Sequence, residues 1–140
     1  MNQSHQLLER TLRTQGHSMT HSRKLVFSAL EQTARPLAME ELIRIVEPHV
    51  NRASVYRIIS LFEALGIVQR LQIGWKYKLE LSNSFQEHHH HLTCAECGAI
   101  IPFHEPKQLH HILEQVTAQH NFRLHNHQLE LQGVCADCQK

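Results

Sequence analysis

Two C-x-x-C pairs, Cys94-x-x-Cys97 and Cys135-x-x-Cys138, constrain this chain more than any other feature. Four thiolates can surround one Zn²⁺ at about 2.3 Å in a closed tetrahedron, and a closed site holds structure together rather than activating water. Residues 98–134 lie between the pairs, so such an ion staples the ends of a small domain. The first residues, MNQSHQLLER, lack a basic-then-apolar leader, which favours a metal over a disulfide framework. The alternative is two disulfides or free thiols in a core. A length of 140 residues allows one ordinary domain or two small ones, and a piece near 60 residues needs a staple or a partner.

The charge balance divides the chain as the cysteines do. Residues 1–87 carry 11 Lys/Arg and 8 Asp/Glu, a net of 11 − 8 = +3, and residues 88–140 carry 3 and 5, a net of 3 − 5 = −2. The 14 histidines fall 4 before that cut and 10 after it. One half is mildly basic and the other is rich in metal-ligand side chains. A 41% hydrophobic share with a net charge of +1 excludes a disordered tail. No apolar run approaches the ~18–20 residues of a membrane span, so a soluble, cytoplasmic protein with no membrane partner is expected.

Periodicity predicts a helix from Ser4 to about Gln15, a second capped by Thr20 and running to about Thr33, and a third from Met39 to Val46. A fourth opens at Asn51 or Ala53, carries Val55, Ile58, Ile59, Phe62 and Leu65 on one stripe, and ends at Gly66. Residues 67–71 and 75–81 then alternate like strands around Gly74. Helices followed by a two-stranded wing form a familiar DNA-reading layout. Ser82-Asn83-Ser84 is the linker, dividing residues 1–84 from 85–140. Beyond it come strand candidates at His88–Thr93 and Ala99–Phe103, a helix after Pro106 with Leu109, Ile112, Leu113 and Val116 on one stripe, and an apolar final segment, Phe122–Val134.

Along a strand, successive side chains face opposite ways, so His88 and His90 project to one side and His89 and His91 to the other. One strand can thereby supply donors to two metals. His125 and His127 share a face if their segment is a strand. On the fifth helix His110 lies beside the apolar stripe and His111 nearly opposite it, making His110 the inward donor. Exposed histidines with no native metal are the alternative reading. Tyr56 and Arg57 fall early in the fourth helix, where side chains reach base edges in a major groove. Arg52, Ser54, Arg23, Lys24, Lys76 and Lys78 are further candidates for DNA contact, against the plainer reading of solvated surface groups.

Three motifs in order resemble the ferric uptake regulator family of bacterial metal-responsive repressors, over about residues 18–138. Ala53-Ser54-Val55-Tyr56-Arg57 is similar to its A-T-V-Y-R helix start. His88-His89-His90-His91-Leu92-Thr93-Cys94-x-x-Cys97-Gly98 is similar to H-H-D-H-L-x-C-x-x-C-G. His127-Gln128-Leu129-Glu130-Leu131-x-Gly133-x-Cys135-x-x-Cys138 is similar to H-x-L-E-x-x-G-x-C-x-x-C. The resemblance implies an α+β chain: an N-terminal winged helix-turn-helix domain, then a small α/β dimerisation domain with a four-cysteine structural zinc site. It also implies a homodimer on double-stranded operator DNA, with metal as co-repressor.

Carried across residue by residue, the family's regulatory site within the dimerisation domain falls on His88, His90, His110 and His127. Carboxylates usually stand where His90 and His110 do, so an all-nitrogen set is expected, which suits Zn²⁺ better than Mn²⁺ and leaves Fe(II) as the second choice. A second regulatory site falls on Glu80, His89 and His91, with the family's DNA-domain histidine replaced by Pro36 and a downstream acidic ligand replaced by Pro102. His17 or His21 are substitute donors. The competing classes are a zinc storage or transfer protein and a zinc-dependent hydrolase or deaminase. The latter lacks an H-E-x-x-H helix, and His104-Glu105-Pro106 lacks H-x-E spacing.

Overall fold

A computed structural model describes residues 2–33, 35–73, 75–86, 88–125 and 127–140. The chain separates into two compact units, residues 1–87 and 88–140. The border falls just beyond the expected 84/85 because Phe85 packs on the first unit's core, edge to face with Phe27 at 5.5 Å.

The first unit is built from α1 (Gln3–Thr14), α2 (His21–Gln32), α3 (Met39–Val46), α4 (Arg52–Ala64), β1 (Val68–Ile73) and β2 (Lys76–Leu81). Short polar side chains start three of the helices. Asn2, Thr20 and Asn51 accept hydrogen bonds from the backbone N–H of His5 at 2.9 Å, Arg23 at 3.2 Å and Ser54 at 2.8 Å. Asn51 is therefore the α4 cap, which places Arg52, Ser54, Tyr56 and Arg57 in its first turns. Val55, Ile59 and Phe62 of α4 are wholly buried with Phe27, Leu8, Leu12 and Leu42, so one helical stripe accounts for the core contact. At its end Gly66 has φ +72°, a left-handed backbone that lets Ile67 N–H donate to the Phe62 carbonyl at 2.8 Å.

β1 and β2 pair antiparallel from Val68 opposite Leu81 to Ile73 opposite Lys76, forming the wing. Gly74, expected at its turn, lies outside the described residues. One pairing has no signature in the sequence: Leu37 exchanges backbone hydrogen bonds with Leu79, at 2.9 and 2.7 Å, adding a rung to the wing's inner edge.

The second unit contains β3 (His90–Cys94), β4 (Ile100–Phe103), α5 (Lys107–Gln119) and β5 (Glu130–Gly133), with sheet order β4-β3-β5. β3 pairs antiparallel with β4 and parallel with β5. Of the apolar final segment, Phe122–Val134, only Glu130–Gly133 forms a strand. Its ladder runs from Glu130 opposite His91 to Gly133 opposite Cys94. His125 and His127 therefore precede the strand, and His88 and His89 lead into β3 rather than lying in it.

Burial differs as well. α5 has no buried residue, and its expected stripe is open at Ile112 and Val116. Leu92 pairs with both Ile101 and Leu131, and all three are exposed, forming an apolar row across the sheet. Among the described residues, no helix is long and apolar enough to cross a membrane.

Candidate metal centres and nucleic-acid interface

The knuckle after β3 and the turn after β5 bring all four cysteines together, one sulfur from each lying within 4.8 Å of the others. Gly98, at φ +77°, closes the knuckle by donating its N–H to the Cys94 carbonyl at 3.0 Å. Cys97 Sγ lies 3.7 Å from Cys135 Sγ, far beyond a disulfide bond of about 2.05 Å. A zinc tetrahedron with bonds of about 2.3 Å has sulfur–sulfur edges of about 3.8 Å, so the spacing fits. Backbone N–H groups of Cys97 and Cys135 donate to Cys94 Sγ at 3.5 and 3.3 Å and lower its pKa to about 6. The neighbouring sulfurs of Cys135 and Cys97 push Cys138 up to about 12. Such a set accommodates four thiolates only around a cation.

At the other end of the same strand, His88, His90, Glu105 and His127 form a second group, again with one donor atom each within 4.8 Å. His88 Nε2 stands 3.2 Å from His127 Nε2 and 3.6 Å from Glu105 Oε1, while His90 Nε2 stands 2.9 Å from Glu105 Oε1. His127 Nε2 also contacts that oxygen. Tetrahedral edges for nitrogen and oxygen ligands at about 2.0–2.1 Å are about 3.3–3.4 Å, and these separations bracket that value. Burial lowers the His88 pKa, and the imidazoles of His90 and His127 lower it further. For Glu105, burial acts to raise the pKa, but hydrogen bonds from His90 and His127 outweigh it and hold the carboxyl at about 2. The group thus presents a carboxylate and three imidazoles.

Glu105 escaped the sequence reading. His110, expected as the inward donor, stands outside the group: it is exposed on α5, with Nδ1 3.4 Å from Glu105 Oε2 and Nε2 2.9 Å from Glu114 Oε1. The group that converges holds three imidazoles and one carboxylate, and His110 borders it through Glu105. A signal for this existed. Four neutral imidazoles leave a divalent charge uncompensated in a buried place, and Glu105 is the sole carboxylate between Gly98 and Lys107. His111 is exposed, as its angle on the helix predicted.

The alternate histidines face away from this group. His89 and His91 meet edge to face at 4.6 Å, and His91 Nδ1 faces Glu130 Oε1 at 3.1 Å. A carboxylate on one ring nitrogen is the arrangement that orients an imidazole toward a metal through the other. Glu80 is buried on β2 and accepts a hydrogen bond from Gln69 Nε2 at 2.8 Å. His17 is half-buried and His21 exposed at the start of α2.

In the first unit, Tyr56 and Arg57 are exposed on α4, and Arg57 Nη2 donates to Ser54 Oγ at 3.2 Å. Arg52 is engaged within the unit: its guanidinium grips Glu40 at 2.6 and 2.9 Å. Arg23 donates to the Ser18 carbonyl at 2.5 Å, and Lys76 is exposed.

The model of the ferric uptake regulator family matches residues 14–132. The ferric uptake regulation protein of Campylobacter jejuni is 34% identical over 145 aligned residues, covering 94% of this chain and 88% of its own. The ferric uptake regulator of Helicobacter pylori, described as having three functional metal binding sites, superposes with a TM-score of 0.80 at 26% identity, covering 99% of this chain and 95% of its own. The Vibrio cholerae ferric uptake regulator does so with a TM-score of 0.75 at 31% identity, covering 91% and 98%. With its wing, its cysteine cluster and these likenesses, the chain belongs to the ferric uptake regulator family, a family of metal-responsive transcriptional regulators rather than enzymes.

Proposed function

We propose that this chain is a metal-dependent repressor that binds double-stranded operator DNA as a homodimer, with Zn(II) or Fe(II) as co-repressor and zinc favoured. The observation that carries the reading is the convergence of His88, His90, Glu105 and His127, separate from the four cysteines. Cys94, Cys97, Cys135 and Cys138 are assigned to structural zinc. Glu105 restores one oxygen donor, which suits Fe(II) as well as Zn(II), while three imidazoles and near-tetrahedral spacings favour zinc. A bound ion supplies a fixed cross-link among these donors.

His88 comes from the approach to β3, Glu105 from the turn before α5 and His127 from the approach to β5, so they converge in only one arrangement of the unit. Binding can bias a conformational equilibrium only by its differential affinity for the two forms, and moving it from 1:99 to 99:1 takes about 5.5 kcal/mol. Glu80, His89 and His91 are assigned to a second regulatory set on the family resemblance, with Glu130 orienting His91.

Arg57 is assigned to guanine recognition, worth roughly 1–3 kcal/mol of discrimination, and Tyr56 to a thymine methyl and a phosphate. Ser54, Arg23 and Lys76 are placed on phosphates. Arg52 is assigned to DNA with a reduced share, since Glu40 already neutralises it. The apolar row Leu92, Ile101 and Leu131 is assigned to the second copy, because residues 88–140 are too few to hold a fold on their own hydrocarbon.

The test is a gel-shift titration of the full chain against the promoter region of its own gene, with buffered Zn²⁺ and anaerobic Fe²⁺ in parallel. Binding should rise steeply with one ion. Equal binding after every ion but the sulfur-held one is chelated overturns the reading.

A further inference from the structure

Trp75 is the chain's single tryptophan, and it is 101% exposed. Tryptophan normally buries 150–250 Å² on folding or binding. At hairpin tips small or polar residues are usual, because nothing there covers a large ring. The last rung of the wing joins Ile73 to Lys76, so Trp75 stands at the tip, beside an exposed ammonium and three residues from a second lysine, Lys78. Its folding role is therefore nil.

The wing beneath it is firmly held. Val68, Leu71, Leu79 and Leu81 are buried, Leu37 adds its rung, and Arg70 ties β1 to α4 through Glu63 at 2.7 Å while its guanidinium covers the Tyr77 ring at 4.1 Å. When α4 docks, the tip is carried with it as a stiff arm.

We propose that Trp75 is a DNA-backbone clamp: its indole lies on a deoxyribose at the edge of the operator, its ring N–H donates to a phosphate, and Lys76 pairs with a neighbouring phosphate. The inference rests on the DNA-binding reading above. The tip's exposed charged group, Lys76, and the first unit's net of 11 − 8 = +3 call for an anionic partner, and the rigid tie of the wing to α4 selects DNA over an acidic peptide groove or a membrane face. A sugar and phosphate contact positions the protein without reading sequence. An uncharged indole contributes affinity without releasing counterions, whereas Lys76 releases about one.

These properties make the test specific. The metal-loaded full chain is titrated with a promoter duplex that shifts in the experiment above and, at low salt, with an unrelated duplex. Tryptophan emission reports Trp75 alone, so binding should change its intensity and shield it from acrylamide. Trp75→Ala should weaken both duplexes by about fivefold to tenfold, leaving the specificity ratio and the salt slope unchanged, while Lys76→Ala should reduce the slope by about one. Trp75→Phe should recover part of the loss, and the thermal midpoint of Trp75→Ala should equal that of the parent. The clamp is refuted if the parent binds with unaltered emission and quenching, if Trp75→Ala binds equally well, or if only the promoter duplex is weakened. A parent that binds no duplex refutes the repressor reading itself.

Discussion

The two units hold themselves together by different physics. In the first, Phe27, Phe62 and a ring of leucines, isoleucines and valines are shut away from water, and no charged cluster is needed to close it. In the second, the buried residues among those described are His90, His91, Thr93 and Cys94, while Leu92, Ile101 and Leu131 of its sheet and Ile112 and Val116 of its helix are exposed. Hydrocarbon burial stabilises a fold whatever the ion supply, whereas donor clusters stabilise one only while they are occupied. On the proposed reading, the chain has a DNA-reading half that stays folded and a sensing half whose order depends on metal and on a second copy.

The strongest way to break this contrast is at the sulfurs. Cys135→Ser, or removal of the sulfur-held ion, should unfold residues 88–140 and leave the first unit intact, since structural zinc sites are worth about 10–16 kcal/mol. Hydrogen exchange should show protection lost in β3 and β5 but kept in α4. Protection lost throughout would mean the first unit depends on the second.

The converse change is Phe62→Ala. A wholly buried phenylalanine costs about 3–5 kcal/mol on truncation, read as a lower urea midpoint for the first unit with zinc stoichiometry unchanged.

A smaller effect sharpens the regulatory site. Glu105→Gln should weaken binding of the second zinc by about 10- to 100-fold in competition with a chelator, and His110→Ala should weaken it far less. The reverse order would return the ligand role to the helix.

Acid should separate the halves more gently. The folded pKa of His88 lies below 6.5, so the native unit prefers it neutral, and stability begins to fall as pH drops through the free value. Glu105 stays ionised down to about pH 2, so its contribution is present above the usual carboxylate range near 4.3 and fades between the two values. Thermal melts of protein that retains only the sulfur-held ion, from pH 7.5 to 4, should show the second unit's transition falling first. The smallest change is Arg52→Ala, whose exposed pair with Glu40 should leave both stability and operator affinity less altered than Arg57→Ala does.

Local chemistry was legible in the sequence, and convergence was only partly so. The period of Val55, Ile58, Ile59 and Phe62 identifies α4, Gly66 marks its end, its start is narrowed only to Asn51 or Ala53, and alternation along His88–His91 separates two histidine faces. Pairings set by tertiary contact left no such trace. Leu37 meets Leu79 across the sequence with no motif to announce it, and Glu105 belongs to a turn whose neighbours read as an ordinary helix start. The apolar stripe of α5 has a helical period, and period alone cannot say whether the covering surface belongs to the same molecule.

Strand β3 leads from His90 at one end to Cys94 at the other, a run of about 13 Å at roughly 3.3 Å per residue, with β5 alongside in parallel. Both donor groups are strung on that one short ribbon. If both groups hold zinc as proposed, loading has an order: until sulfur pins the far end, the imidazoles have no common origin to be measured from, and a cell starved of zinc loses its reading before it loses its gauge.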